Sequence, residues 1–182
     1  DTMRLFIAIP IPDDLTPGLE TVAAALPSGR ALPPENLHLT LAFLGDIPDR
    51  QAEDVHDALG TVASPPVRIE ATGIDALGHP SPKVIAATVR PDPALLELRR
   101  KIRAALHGQG VMPDREHFRP HITIARLNGR LTPDEQARLA AFLAARGSVR
   151  PVAFTARQFA LYASTLHPGG AVHELLAEYP LG

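Results

Sequence analysis

The chain of 182 residues contains no cysteine. Disulfide bridges, thiolate metal ligands and a cysteine nucleophile are therefore excluded, so packing alone must hold the fold, and a reducing, cytoplasmic setting is expected. Long apolar runs are missing too. The longest, residues 5–12, is far shorter than the roughly 20 residues that span a bilayer. We therefore expect neither a membrane helix nor a signal peptide.

The sequence also lacks an excess of charge of one sign. Its formal net charge is −2, whereas a protein that coats nucleic acid needs many cations to neutralise phosphates. Any contact with RNA should therefore be local, at an end of the RNA. Four arginines nonetheless cluster in one stretch, where they either solvate strand ends or meet a phosphate: Arg115, Arg119, Arg126 and Arg130.

Apolar periodicity predicts an α+β protein. Segments rich in β-branched residues alternate with segments whose apolar residues recur at helical spacing. Strands are predicted at residues 4–11, 37–44, 67–77, 83–90, 118–127, 152–163 and 171–179. Helices are predicted at residues 13–26, 48–62, 93–108 and 132–147, the third with Asp92 as N-cap and the fourth with a capping box from Thr132 to Glu135.

We interpret the chain as a single domain, residues 1–182, with two similar halves at roughly 3–90 and 91–180. Successive strands lie close enough in sequence to form antiparallel hairpins. No glycine-rich phosphate loop follows a predicted strand, which disfavours a doubly wound parallel sheet. Asp1 and Thr2 precede Met3, so we expect them to be additions to the natural start and base no fold prediction on them.

Two seven-residue segments share histidine, threonine, alanine and leucine at alternate positions: HLTLAFL from His38 and HITIARL from His121. A lone histidine on an apolar strand is usually a core residue, but a matched pair is not expected by chance. Side chains two apart on a strand share a face, so each histidine lies beside its threonine, Thr40 or Thr123. If the halves pack about an approximate two-fold axis, both pairs meet in one cleft.

Two histidines suit the displacement of a phosphodiester, because one accepts a proton from water while the other gives a proton to the departing oxygen. The threonine hydroxyls can donate hydrogen bonds to phosphate oxygens, and an arginine can add a charge-assisted contact. A metal site on His117 and His121 is disfavoured, because Pro120 interrupts the helix that their spacing requires and no carboxylate cluster completes a shell. We predict neither metal nor cofactor, and assign no role to His56, His79, His107, His167 and His173.

The motifs resemble the two HxTx signatures of the 2H phosphoesterase superfamily. The flanking segments resemble its bacterial and archaeal RNA 2′,3′-cyclic phosphodiesterase branch, also called 2′-5′ RNA ligase. They are RLFIAI at 4–9, PPENL at 33–37, FLG at 43–45, FRP at 118–120, LY at 161–162 and PGG at 168–170. One departure is that Ala31 and Leu32 stand where the family often has an aromatic residue, which removes a stacking contribution from this loop.

The resemblance implies a bilobal fold with two antiparallel sheets around a central cleft and helices on the outer faces. It implies hydrolysis of a 2′,3′-cyclic phosphate RNA end to a 2′-phosphate without metal, and weak, reversible joining of tRNA halves. In this reaction His121 is the base toward water and His38 the acid toward the 3′-oxygen. We expect a monomer that acts on RNA ends or related nucleotides.

Arg126 is similar in position to a family arginine that approaches the phosphate. A regular strand turns residue 126 away from His121, because five is an odd step, so this role requires the strand to end or bulge there. Arg119 is a further candidate contact. Phe43, Tyr162 and Phe118 either stack on a base or fill the cores.

Two other functions stay open from the sequence. The first is a phosphodiesterase whose substrate is a small cyclic nucleotide or a 2′-5′ oligonucleotide rather than an RNA end. The second is a nucleotide- or RNA-binding module without catalysis, which the intact histidines and threonines disfavour.

Overall fold

The computed structural model describes residues 1–113 and 117–182, so Arg115 of the arginine cluster lies outside the described residues. The helices are α1 (Thr16–Ala24), α2 (Asp49–Leu59), α3 (Pro93–Gly108) and α4 (Pro133–Arg146), with a short 3-10 helix at Pro34–Asn36. No helix among these residues is long and apolar enough to cross a membrane. The strands are β1 (Thr2–Pro10), β2 (Arg30–Ala31), β3 (His38–Pro48), β4 (Val67–Leu77), β5 (Val84–Val89), β6 (His121–Arg126), β7 (Ala153–Ala156), β8 (Gln158–His167) and β9 (Gly170–Pro180).

The strands follow the order β7-β4-β5-β6-β3-β1-β8-β9, with β2 added to β6, and the pairings are antiparallel. At the centre of this order, β3 and β6 are joined through one residue pair of the described chain, Leu39 with Ile122. The eight strands of this order therefore divide into two groups of four that meet at this pair, and β2 adds to the group that contains β6. The predicted α+β class and its antiparallel arrangement in two parts are confirmed.

The strand order defines the internal repeat. The first repeat has β1, α1 and β3 in this order, with β2 and the 3-10 helix between α1 and β3, and the second has β5, α3 and β6. Each motif strand is antiparallel to the first strand of its repeat. The strands that follow each repeat pair with the other repeat, since β4 pairs with β5 and β8 pairs with β1. Each of the two groups therefore contains strands from both predicted halves.

The helices pack on the face of the sheet opposite the histidines. Their buried apolar residues form one core cluster with the aliphatic residues of both motifs, and this cluster includes Leu19, Val55, Leu98, Ile102, Leu39, Leu41, Ile122 and Ile124. The predicted start signals are confirmed, because Asp92 Oδ1 accepts a hydrogen bond from the backbone of Ala94 at 2.9 Å and the capping box of α4 is present. Rigid helices thus support the strands that carry the motifs.

Three strand predictions were wrong in extent, and the first of them, 37–44, continues to Pro48 as β3. Residues 152–163 do not form one strand, because β7 pairs with β4 in one group and β8 pairs with β1 in the other, with Arg157 at the crossover. The alternation changes phase at this crossover, because the buried residues Phe154 and Ala156 are followed by two polar residues and then by buried Phe159. The strand predicted at 118–127 begins only at His121, because Pro120 has no N–H for a sheet ladder.

Candidate active site

The two histidine motifs meet at the pair that joins the strand groups. Leu39 and Ile122 are both fully buried. Continued by one residue each way, their antiparallel register sets the polar residues crosswise, with His38 opposite Thr123 and Thr40 opposite His121. Because side chains alternate along a strand, these four share the face away from the core. All four are half-buried.

Each motif strand carries a bulge at the same position. Pairing with β1 skips Leu41, and pairing of β6 with β5 skips Ile124. A one-residue bulge reverses the face taken by the residues that follow. Phe43 and Arg126, at the sixth position of each motif, therefore return to the histidine face, and both are exposed after two successive buried residues. The strand does bulge where a role for Arg126 requires it.

Both bulges are held by hydrogen bonds from outside their strand pair. The carbonyl oxygen of Leu41 accepts from Arg99 Nε of α3 at 3.1 Å, and that of Ile124 accepts from the backbone N–H of Leu32 at 2.9 Å. The Arg99 guanidinium also covers the ring of Phe118 at 4.3 Å. Phe118, one of the candidates for base stacking, thus has a cation as its neighbour.

Small residues lie beside both threonines. Ala8 of β1 pairs with Thr40, and Ala86 of β5 pairs with Thr123. Both alanines are fully buried, and directly paired residues put their side chains on the same face of a sheet. A methyl group is thus the neighbour of each hydroxyl on the adjacent strand.

One ring nitrogen of His121 is held by the backbone. Nδ1 lies 2.6 Å from the carbonyl oxygen of Arg119, and because a carbonyl only accepts, Nδ1 donates its proton. The lone pair of the neutral ring is then on Nε2. The next carbonyl, that of Pro120, accepts from the backbone of Val89 at 3.0 Å, which fixes the segment that holds the ring.

His38 lies among aromatic rings. It stacks on Phe6 with the ring centroids 4.9 Å apart, and Tyr162 stacks on Phe6 at 5.1 Å. Burial lowers the pKa of His38 to about 3, and the charges of His173 and Arg126 act in the same direction. His38 is therefore neutral at pH 7 in this arrangement.

Arg126 is the arginine whose charge reaches the site. It lowers the pKa of both His38 and His173, although burial is the larger cause for each. Its paired neighbour on β2, Arg30, donates instead to the carbonyl oxygen of Gly169 in the β8–β9 turn. The guanidinium of Arg126 is exposed and lies on the histidine face. It is thus placed to meet an anion there.

Of the other predicted contacts, the two aromatic residues lie at the site, whereas the guanidinium of Arg119 is paired elsewhere. Phe43 is 62% exposed with its ring 6.1 Å from Phe6, so one face is open to a base. Tyr162 is half-buried, and burial raises the pKa of its phenol, which stays neutral. The guanidinium of Arg119, by contrast, donates to the carboxylate of Asp75 at 3.1 Å. Arg119 serves the site through its carbonyl group.

The sequence patterns miss two residues next to this site. The ring centroid of His173 on β9 lies 5.1 Å from that of His38. Asn36 is one of two buried polar residues in the described chain, and its amide donates to the carbonyl oxygen of Ala171 at 3.0 Å. The match of PPENL to the family was a signal for Asn36. No local pattern indicates His173, because its position depends on the strand order.

The side chains around the two histidines do not form a metal-binding group in the described chain. In the part of the chain that the structure describes, no group of three or more histidine, aspartate or glutamate side chains could hold a metal ion. His117, the candidate partner of His121, is exposed and precedes β6 in a segment that is not helical. The described side chains therefore offer no metal shell.

The comparisons with known proteins agree with this geometry. A family model described as 2′-5′ RNA ligase superfamily matches residues 11–167. An RNA 2′,3′-cyclic phosphodiesterase of Archaeoglobus fulgidus is 31% identical over 69% of this chain and 73% of that protein. One from Geobacillus stearothermophilus is 34% identical over 66% of this chain, and the match spans 41% of that longer protein.

A solved structure shows the same fold. The crystal structure of Escherichia coli LigT complexed with 3′-AMP superposes with a TM-score of 0.78 at 22% identity, covering 100% of this chain and 99% of that one. The family match includes both histidine motifs and extends over most of the chain. The chain therefore belongs to the 2′-5′ RNA ligase superfamily of 2H phosphoesterases.

Proposed function

We propose that this protein is an RNA 2′,3′-cyclic phosphodiesterase, which opens the cyclic phosphate at an RNA end and leaves a 2′-phosphate. The observation that carries the proposal is the crosswise placement of two histidine–threonine pairs on one face of the sheet. The relatives from Archaeoglobus fulgidus and Geobacillus stearothermophilus, both named RNA 2′,3′-cyclic phosphodiesterase, support it. Weak, reversible joining of RNA ends follows from the same displacement when the 5′-hydroxyl of a second RNA attacks phosphorus in place of water, so that the P–O3′ bond breaks and a 2′-5′ phosphodiester forms. We expect the enzyme to act as a monomer.

His121 is the general base. Its Nδ1 proton is donated to the carbonyl oxygen of Arg119, so the Nε2 lone pair can take a proton from water. The water oxygen attacks phosphorus on the side away from the departing 3′-oxygen. A ring held by the backbone keeps its lone pair in one direction, which lowers the entropy cost of the attack.

His38 is the general acid. As the P–O3′ bond breaks, its electron pair stays on the oxygen, which takes a proton from His38. The two histidines lie on different strands, diagonally across the central pair, as in-line displacement requires. Because their positions are fixed, the pose of the substrate decides which histidine meets water and which meets the ribose.

Thr40, Thr123 and Arg126 bind the phosphate. The two hydroxyls donate to the non-bridging oxygens, and Arg126 adds a charge-assisted contact to the negative charge that grows in the transition state. Phe43 and Tyr162 lie on the His38 side, where the nucleoside that carries the leaving oxygen sits, and Phe43 offers the more exposed ring for stacking on its base.

Substrate binding must also protonate His38. With a pKa of about 3, the ring has no proton to give at pH 7. A phosphodiester anion beside the ring favours its charged form and so raises its pKa. Binding is therefore accompanied by proton uptake. His38 becomes a general acid only when the phosphodiester of the substrate lies beside it.

The proposal is tested by turnover of two substrates, a short RNA ending in a 2′,3′-cyclic phosphate and the mononucleotide 2′,3′-cyclic AMP. We expect a 2′-phosphate product, separated by chromatography from the 3′-phosphate, and faster turnover of the RNA. Turnover of the mononucleotide alone would assign the enzyme to small nucleotides instead. Binding of both without turnover would make it a binding module, and a 3′-phosphate product would reverse the binding direction.

A further inference from the structure

The two histidines differ in what holds the second ring nitrogen. Nδ1 of His121 donates to the carbonyl oxygen of Arg119. Within residues 1–113 and 117–182, neither ring nitrogen of His38 has a hydrogen-bond partner. An imidazolium carries two N–H donors. When His38 is protonated, one N–H serves the leaving oxygen and the other needs an acceptor.

The neighbouring group that can accept this second hydrogen bond is the imidazole of His173. Its ring centroid is 5.1 Å from that of His38, with the planes 58° apart, and its edge packs on Phe6 at 4.8 Å. At this separation a small rotation of either ring brings one nitrogen of each within hydrogen-bond reach. Nδ1 of His173 is also the one buried side-chain nitrogen or oxygen of the described chain without a partner. A buried polar atom of this kind costs stability unless a partner is supplied.

We propose, on the basis of the proposed function, that His173 is a positioning residue whose Nδ1 accepts a hydrogen bond from protonated His38. The other N–H of His38 is thereby directed at the departing 3′-oxygen. His173 thus does for the acid what the carbonyl group of Arg119 does for the base.

The charges around His38 and His173 fit a role for His173 as the hydrogen-bond acceptor. Among the described residues, Arg126 on β6 acts on both rings through its charge, and Tyr162 on β8 stacks on His38 with the ring centroids 6.0 Å apart. Two imidazoles so close do not both hold a proton. Burial and the charge of Arg126 lower the pKa of His173, so it stays neutral, with its proton on Nε2 and the Nδ1 lone pair free.

Two hydrogen bonds from outside the β8–β9 hairpin hold the start of β9 in place. Asn36 donates to the carbonyl oxygen of Ala171 at 3.0 Å, and Arg30 donates to that of Gly169. Ala171 lies two residues before His173, on the same face of the strand. The position of the His173 ring is therefore built into the fold rather than left to a free strand end.

The proton balance of the reaction is unchanged by His173. The water oxygen forms its bond to phosphorus and gives its proton to Nε2 of His121. The P–O3′ bond breaks, and O3′ takes the proton of His38. His173 gains and loses no proton, so its effect is on the orientation and charge of His38 alone.

The test uses two variants of similar size, His173→Leu without an acceptor and His173→Asn, whose Oδ1 lies near the place of Nδ1. On the RNA cyclic phosphate we expect His173→Leu to lower kcat by about tenfold or more, the factor for a hydrogen bond to a charged group. KM should change little. His173→Asn should keep kcat within about threefold of the wild type, since it restores the acceptor.

A second substrate shows whether the effect passes through the acid. A p-nitrophenyl phosphodiester has a good leaving group that needs little protonation, so His173→Leu should turn it over within about twofold of the wild type. With the cyclic substrate, the alkaline limb of the kcat–pH profile should move to lower pH, because the imidazolium has lost its acceptor.

Three results would overturn the proposal: equal losses on both substrates, equal impairment of both variants, or a change in KM alone. Melting temperatures control for folding. If His173→Leu does not fold, His173→Gln replaces it, because the longer side chain carries its amide oxygen past the position of Nδ1 and so does not restore the acceptor. A wild-type protein without activity on any cyclic phosphate would instead refute the proposed function.

Discussion

Leu39 and Ile122 are paired across the centre of the sheet, and this pair is where the two groups of strands meet. Each is the second residue of a histidine motif, and each is fully buried on the helix side. Their pairing therefore determines the positions of the four polar residues on the other face. A shift of register by two residues would separate each histidine from the threonine opposite, so the buried pair sets the geometry of the site.

Removing one threonine hydroxyl should weaken phosphate binding without disturbing the strands. We expect Thr40→Val and Thr123→Val, which keep the shape of the side chain, each to lower kcat/KM on an RNA cyclic phosphate by about tenfold, as for the loss of one hydrogen bond to a charged group. Thr165→Val, at an exposed position of β8, is the matched control. Rates of the site variants equal to that of the control would exclude the hydroxyls from phosphate binding.

The low pKa of His38 should appear as a pH dependence of stability. The pKa of about 3 lies below the ordinary value of 6.5, so between these values the unfolded chain binds the extra proton and the free energy of unfolding falls as the pH falls. This group alone contributes up to about 1.4 kcal/mol per pH unit. We expect His38→Gln to show a flatter curve than the wild type in urea unfolding from pH 6.5 to 3. Parallel curves for the two proteins would be inconsistent with a buried neutral ring.

Chelation should leave the rate unchanged. The residues that the structure describes offer no set of ligands for a metal ion, and the charge of the phosphate is met by hydroxyls and Arg126 instead. The measurement is the turnover of the RNA cyclic phosphate before and after dialysis against excess EDTA. A loss of activity that Mg²⁺, Mn²⁺ or Zn²⁺ restores would require a different mechanism.

The motifs, the helix caps and the strand types could be predicted from sequence because they depend on neighbours within a few residues. The capping box from Thr132 to Glu135 is one example. The bulges at Leu41 and Ile124 could not, since a bulge exists only relative to the partner strand. The face of Arg126 was for that reason open from the sequence.

His173 was missed for a related reason. Its strand reaches the site because β8 pairs with β1, which in turn pairs with β3, and no local spacing encodes that order. The break at Arg157 does change the phase of the apolar alternation, but only the pairings show that β7 and β8 separate into different groups there. Local patterns give the elements, whereas pairings between distant strands decide which side chains meet.

The roles of the two histidines can be separated by the leaving group. A p-nitrophenyl phosphodiester departs without a proton, so in the same pose it should largely restore the rate of His38→Ala, which lacks the acid. His121→Ala should stay slow, because attack by water still needs a base. Rescue of the His121 variant in place of the His38 variant would reverse the assignment.

The most direct measurement is turnover of a short RNA ending in a 2′,3′-cyclic phosphate by His38→Ala and His121→Ala. Each should be slower than the wild type by a factor of about 100 or more, the loss expected for a general acid or base. His107→Ala, at an exposed position near the end of α3, should match the wild type. A site variant that is folded by circular dichroism and turns over at the wild-type rate would contradict the two-histidine account.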